Sequence, residues 1–260
     1  MSEALKITFL GTGTSQGVPV VACDCEVCRS EDDKDKRLRS SVLLQAGGKS
    51  IIIDAGPDFR QQMLRIKQHQ LDAVLLTHEH VDHMYGLDDI RAFNWVQQSA
   101  VPIYAEERVL GELKRVYSYV FADYRFGGLP EMELHEIQHS SFAVNDILFT
   151  PIRGLHYKLP VFGYRVGDFA YLTDMNCISD DEKQKLHHLD VLVLGAVHKK
   201  KHISHMNLEE ALQLIVELQP KQAYITHISH YMGLHQEEDV QLPPHVHLAY
   251  DGLVVSAGLP

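Results

Sequence analysis

Apolar positions along this chain fall into short runs separated by glycines, prolines and acidic turns, and two periodicities can be read from them. Continuous or alternating apolar runs predict strands at Leu5–Leu10, Ser41–Gln45, Ser50–Asp54, Ala73–Thr77, Val101–Ala105 and Ile147–Ile152. Further strands are predicted at Phe162–Val166, Phe169–Thr173, Val191–Leu194, Gln222–Thr226, Val246–Tyr250 and Leu253–Ser256. Phe59, Met63 and Ile66 recur at helical spacing and predict a helix from about Asp58 to Gln68. Leu208, Ala211, Leu212, Ile215 and Leu218 make one stripe of a helix over Asn207–Leu218, with Asn207 as its N-cap. Many strands with interspersed helices and no low-complexity linker or repeat predict a layered α/β or α+β domain spanning residues 1–260.

One pattern recurs on three of these strands. Ala73-Val74-Leu75-Leu76-Thr77 runs into His78, Ala170-Tyr171-Leu172-Thr173 into Asp174, and Ala223-Tyr224-Ile225-Thr226 into His227. Each is a strand of buried type, ending in Thr and then a side chain able to bind metal. Strand ends are rigid platforms that line the crevices of α/β sheets, so three such ends predict a converging site.

Composition narrows the chemistry. Of the 260 residues, 17 are histidine, and the formal charge is −11. Histidine is the commonest metal ligand, but its abundance alone is a weak signal. The acidic balance opposes an extended nucleic-acid footprint, which needs clustered Lys and Arg. Lys199-Lys200-Lys201 is too short to reverse it and reads as a solvated loop that could at most attract an anion. No apolar stretch reaches about 18 residues, so no membrane span is expected. The start, Met1-Ser2-Glu3-Ala4-Leu5-Lys6, lacks the features of a secretion signal, and a cytoplasmic protein is the expectation.

The cysteines are clustered. Cys23, Cys25 and Cys28 lie within six positions, whereas Cys177 stands alone and reads as a small apolar residue. A reducing cytosol and the geometry of Cys-x-Cys disfavour disulfides. Three thiolates so spaced suit a tetrahedral zinc taking a fourth ligand from elsewhere, which makes residues of about 20–30 a zinc-binding loop.

The strongest local signal is Thr77-His78-Glu79-His80-Val81-Asp82-His83. In extended backbone His78 and His80 face one side and can reach one ion together. A helical turn after His80 would carry Asp82 and His83 towards a second. This mix of nitrogen and carboxylate donors suits Zn, Mn or Fe rather than calcium.

His78-x-His80-x-Asp82-His83, preceded by a strand and by Asp54-Ala55-Gly56, resembles the metallo-β-lactamase superfamily. His156 after Arg153-Gly154-Leu155, Asp174 and His227 match its remaining ligands by order and context. Phe9-Leu10-Gly11-Thr12-Gly13-Thr14-Ser15-Gln16-Gly17-Val18-Pro19, the three cysteines, Thr226-His227-Ile228-Ser229-His230 and Tyr250-Asp251-Gly252 are similar to the PhnP-like phosphoribosyl 1,2-cyclic phosphate phosphodiesterases. The similarity runs over nearly the whole chain. It implies a four-layer αβ/βα sandwich of two mixed β-sheets flanked by helices. It further implies that His78, His80 and His156 hold one divalent ion (Mn or Zn), that Asp82, His83 and His227 hold another, and that Asp174 bridges them. Cys23, Cys25, Cys28 and His230 would bind a structural zinc. His205, in Ser204-His205-Met206-Asn207, would contact the phosphate or protonate the leaving oxygen.

The resemblance implies hydrolysis of a small phosphodiester, such as a cyclic ribose phosphate, by a hydroxide bridging two metals, with Asp82 orienting the nucleophile. It also implies a homodimer. A ribonuclease Z-like tRNA-processing endonuclease shares the ligand set but normally uses a basic protruding arm, and no such insertion is visible. A thioesterase or lactamase is open to the same scaffold. A non-catalytic metal-stabilised binding module would need only four closed ligands. Tyr157 and Lys158 are candidate substrate contacts, Glu79 is expected to face solvent, and Trp95 and the aromatic stretch Tyr117–Phe126 read as core or interface.

Overall fold

The computed structural model describes residues 4–123 and 127–259; the last three residues of the aromatic stretch and the first three of the chain lie outside these. The first sheet contains β1 (Ala4–Gly11), β2 (Ser41–Ala46), β3 (Lys49–Ile53), β4 (Ala73–Leu75), β5 (Val101–Ala105) and β6 (Met132–Glu136). The second is built from β8 (Ile147–His156), β9 (Leu159–Val166), β10 (Phe169–Leu172), β11 (Cys177–Ile178), β12 (Val191–Gly195), β13 (Gln222–Thr226) and β14 (Val246–Leu248). The short β7 (Phe142–Val144) pairs with β8, and the last strand, β15 (Val254–Gly258), returns to the first sheet beside β1.

Both sheets are mixed. β1, β2 and β3 pair antiparallel, whereas β3, β4, β5 and β6 run parallel. β8 and β9 form an antiparallel hairpin, and β10, β12, β13 and β14 run parallel. The apolar runs of the sequence have their physical cause here: strands covered on both faces need apolar side chains at successive positions. In β3, Ile51 and Ile53 enter the core between the sheets while Ile52 faces helices; in β12, Val191 and Val193 face inward and Leu192 and Leu194 outward.

Helices close the outer faces. On the first sheet, α2 (Phe59–Ile66), α4 (Arg91–Gln97) and α5 (Glu107–Val116) contribute Phe59, Met63, Phe93, Leu110 and Leu113. On the second, α7 (Leu208–Leu218) contributes Ala211, Leu214, Ile215 and Leu218. Asn207 caps α7 in a full capping box with Glu210, as its position predicts. The four-layer αβ/βα sandwich is therefore the observed architecture. Four short helices complete the list among the described residues: α1 (Glu26–Arg29), α3 (Val81–Met84), α6 (Asp180–Gln184) and α8 (His235–Asp239). None of the helices is long and apolar enough to cross a membrane.

Several expectations are corrected. Trp95 is not core, and of its two expected places only an interface stays open: it is 74% exposed on α4. Within the aromatic stretch, Tyr117 and Val120 are buried but Tyr119 is exposed. Cys177 is exposed at the edge strand β11 rather than packed as an apolar residue. Helices α4 and α5 and strand β6 were not predicted. Both α5 and β6 carried a signal: Val109, Leu110, Leu113 and Val116 recur at helical spacing along α5, and Met132 and Leu134 alternate with polar residues along β6.

Candidate metal centre

The first half of the centre grows out of β4. Thr77 and His78 follow the strand, the chain stays extended at His80, and α3 begins at Val81, so the helical turn anticipated after His80 is present. That turn buries Asp82 and His83 and aims them at the same point as His78. His156 ends β8, Asp174 lies just beyond β10, and His227 follows β13. Asp54, Asp174 and His227 have positive φ values of 65°, 53° and 56°. Left-handed backbone at three non-glycine residues carries strain that the surrounding structure must hold.

The donor atoms converge on Asp174. One group within 4.8 Å contains Asp82, His83, Asp174 and His227, and a second contains His78, His80 and Asp174. His156 falls with Asp174 and His205 in a third group, while its ring centroid lies 5.1 Å from that of His80 and 5.8 Å from that of His78. His78 and His80 thus share a donor group with Asp174, whereas His156 shares one with Asp174 and His205, whose ring centroid is 4.5 Å from its own.

Three of the rings are oriented from behind. His83 Nδ1 lies 2.7 Å from Asp54 Oδ2, His78 Nδ1 lies 2.9 Å from Thr77 Oγ1, and His156 Nδ1 meets the Ser204 carbonyl at 2.9 Å. Asp54 also accepts bonds from the Thr77 amide and hydroxyl. Such partners fix which ring nitrogen is free to face an ion. His78 Nε2 and His83 Nε2 are buried with no hydrogen-bond partner. Buried polar atoms without a partner are costly, and two of them aimed at shared carboxylates fit a divalent cation at this point. Burial also pushes the His78, His156 and His205 pKa values down, His205 to about 3, which keeps these imidazoles neutral as metal binding requires.

A second donor cluster lies on the N-terminal loop. Cys23, Cys25 and Cys28 Sγ stand 3.3, 3.4 and 3.5 Å from His230 Nδ1. A tetrahedral zinc with Zn–S near 2.3 Å and Zn–N near 2.0 Å has S···N edges of about 3.5 Å, so the four donors fit zinc. The Cys28 amide donates to Cys25 Sγ and is the main cause lowering that thiol to about 6, whereas burial pushes Cys28 up to about 11. The loop is tied to the active-site segment by Ile228, whose amide donates to the Thr12 carbonyl at 2.8 Å. Asp251 accepts bonds from the Thr12 hydroxyl and the Leu38 amide, which gives the Tyr250-Asp251-Gly252 motif a structural task.

Glu79 does not simply face solvent; it pairs with Arg108. Lys199 is likewise engaged, with Glu238, while Lys200 and Lys201 are exposed. Tyr157 and Lys158 form the turn after His156, with Lys158 Nζ 5.3 Å over the Tyr157 ring. Asp54, Thr77, Ser204 and Arg108 were not identified as site residues from the sequence. Asp54 carried a usable signal, an acidic side chain closing the apolar run Ile51-Ile52-Ile53; the others come together only in three dimensions.

Residues 49–228 match the family described as beta-lactamase superfamily domain. The chain is 44% identical over 252 residues to an octanoyltransferase of Porphyromonas gingivalis, a match spanning 96% of this chain but 51% of that protein, so it covers about half of the relative's length. It superposes on the crystal structure of a diphosphatase from the PhnP family with TM-score 0.93, 39% identity and full coverage of both chains. Human tRNase Z, short form, shares the fold with TM-score 0.70 at 20% identity, over 98% of this chain and 99% of that one.

Proposed function

The chain belongs to the metallo-β-lactamase superfamily and has the fold of its hydrolases, and from that premise we propose that it hydrolyses a small phosphodiester such as a cyclic ribose phosphate. The observation that carries this reading is the position of Asp174, shared by the group with His78 and His80 and the group with Asp82, His83 and His227. His78, His80 and His156 would hold one divalent ion, Asp82, His83 and His227 the other, and Asp174 both, with Mn or Zn as the metal. When bound, the pair would supply Lewis acidity and make hydroxide available at neutral pH. The three cysteines and His230 would hold a third ion, a zinc that fixes the loop next to His227.

The protein's own groups have separate tasks. Asp82, at the rim of the buried cluster, accepts a hydrogen bond from the attacking water and orients it. His205, whose ring is stacked 5.0 Å from His227, donates an N–H to an oxygen of the phosphate. Water's oxygen forms the new bond to phosphorus, the ester P–O bond breaks, and the departing oxygen takes up a proton. The products are a phosphomonoester and a free hydroxyl. The acidic chain and the pairing of Lys199 with Glu238 favour a small substrate over a long nucleic acid.

A diphosphate ester is the second reading, favoured by the 39% identity to a diphosphatase over the whole chain. The test is a panel with chelated protein reloaded with Mn or Zn: bis(p-nitrophenyl) phosphate, a cyclic ribose phosphate, a dinucleoside diphosphate, precursor tRNA and an octanoyl thioester. Metal-dependent turnover of the first two is the expected result. Turnover of the dinucleoside diphosphate alone would move the assignment to the second reading. Cleavage of only the tRNA or only the thioester would sink both.

A further inference from the structure

A chain of charges runs beside the metal centre and joins the two sheets. Glu79 lies between His78 and His80, after β4 of the first sheet, and its carboxylate pairs with Arg108 Nη1 near the start of α5. Arg108 Nη2 donates to the Pro160 carbonyl of β9 at 2.7 Å, in the second sheet, and stands 3.5 Å from Glu106 Oε2. Glu106 Oε1 in turn accepts from Arg153 Nη1 at 2.5 Å, and Arg153 sits on β8 three residues before His156. The Arg153 guanidinium covers the Phe162 ring at 4.9 Å. One guanidinium therefore grips the turn carrying His78 and His80 and the hairpin carrying His156.

We propose that Arg108 is a positioning residue, which, through Glu79 and Pro160, sets the reach between His80 and His156 and thereby completes the three-histidine half of the metal centre. The two histidines come from different sheets, so the rigidity of neither sheet fixes their separation. The nearby links Phe162 N–H to Thr77 O at 3.0 Å and Tyr164 hydroxyl to Leu76 O at 2.6 Å tie β9 to the two residues before His78. They anchor the segment up to His78, and Arg108 supplies a link one residue further on, at Glu79, towards His80. Arg108 is suited to this because its planar fork bonds a carboxylate and a carbonyl at once, which a lysine ammonium does not do in one fixed geometry.

The inference rests on His78, His80 and His156 holding an ion, and not on the substrate. Metal-free protein is titrated with Zn²⁺ against a chromophoric chelator, in wild type, R108Q, R108K, E79A and the double variant, with melting of the metal-free forms measured in parallel. R108Q is expected to bind one catalytic ion about 10- to 100-fold more weakly, with the cysteine-site zinc retained. R108K should recover part of the affinity. E79A should weaken binding in the same direction but less than R108Q, because Arg108 keeps Pro160, and the double variant should be no weaker than R108Q, because Glu79 acts through Arg108. Unchanged zinc affinity in R108Q and E79A, whether or not the metal-free melting temperature falls, overturns the proposal. Wild type that takes up no ion beyond the cysteine-site zinc overturns the underlying metal-centre reading instead.

Discussion

Asp54 Oδ2 and His83 Nδ1 are 2.7 Å apart, and both side chains are completely shielded from solvent. The contact turns His83 Nε2 towards Asp82 Oδ2 at 3.2 Å and Asp174 Oδ2 at 3.1 Å. Removing the carboxylate should therefore act on the metal through the ring. D54A is expected to weaken metal binding about 10- to 100-fold. It should also destabilise the fold, because His83 Nδ1 and the Thr77 amide each lose a partner at a cost of about 1–3 kcal/mol. D54N, which retains an acceptor, should fall between. Chelator competition and urea unfolding measure the two effects; D54A with wild-type metal affinity would contradict the assignment.

Gly56 lies beneath the turn that presents Asp82. A Cβ there would stand 1.9 Å from the Asp82 carbonyl oxygen, a rigid backbone atom. G56A should displace α3 and with it Asp82 and His83, giving protein with at least one catalytic ion lost by metal analysis. Full metal content in G56A would show that the turn yields without consequence.

The cysteine cluster is expected to hold the segment around His227 in place. H230A should release one zinc per chain and lower the melting temperature by about 5–10 °C, since structural zinc contributes directly to folding free energy. Because His230 is three residues from His227, the proposed hydrolytic activity should fall as well, and added Mn should not restore it. An unchanged zinc count would remove the cluster from the list of metal sites.

His205 touches the centre without belonging to the seven-residue ligand set carried by the superfamily resemblance. H205A is expected to retain its metal content and to lose about 10²- to 10⁴-fold in kcat. Loss of metal in H205A would make it a ligand rather than a catalytic group, as its place with His156 and Asp174 within 4.8 Å would permit.

His235 gives a pH-dependence away from the metal centre. Burial, and then the Arg37 guanidinium whose Nη2 lies 3.2 Å from its Nδ1, push its pKa from 6.5 down to about 4. The unfolded chain takes up a proton near pH 6.5 that the folded chain refuses until about pH 4. This group therefore costs no stability above pH 6.5, costs progressively more as pH falls from 6.5 to 4, and adds nothing further below that. H235N, which keeps an acceptor for Arg37, should flatten that part of the profile in urea unfolding of the metal-loaded protein.

Much of this molecule was written in local patterns. Strands buried on both faces require apolar runs such as Ile51-Ile52-Ile53 and Val191-Leu192-Val193-Leu194, so they announce themselves. Val101–Ala105 and Gln222–Thr226 begin and end where the pattern predicts. Metal-capable residues at the ends of such runs, His78, Asp174 and His227, were legible for the same reason, because a strand end fixes where its next side chain points. The cysteine cluster was legible because its three thiols crowd into six positions.

Tertiary structure decided the rest. The partners behind the ligands, Asp54 for His83 and the Ser204 carbonyl for His156, are 29 and 48 positions away in the chain and leave no spacing to read. Glu79 looked like a solvent-facing spacer, yet Arg108 reaches it from α5, 29 positions away in the chain. Local sequence sets which way a side chain faces on its own strand or turn. The distance between two side chains on different sheets is set by how those sheets pack, and that is a property of the whole fold.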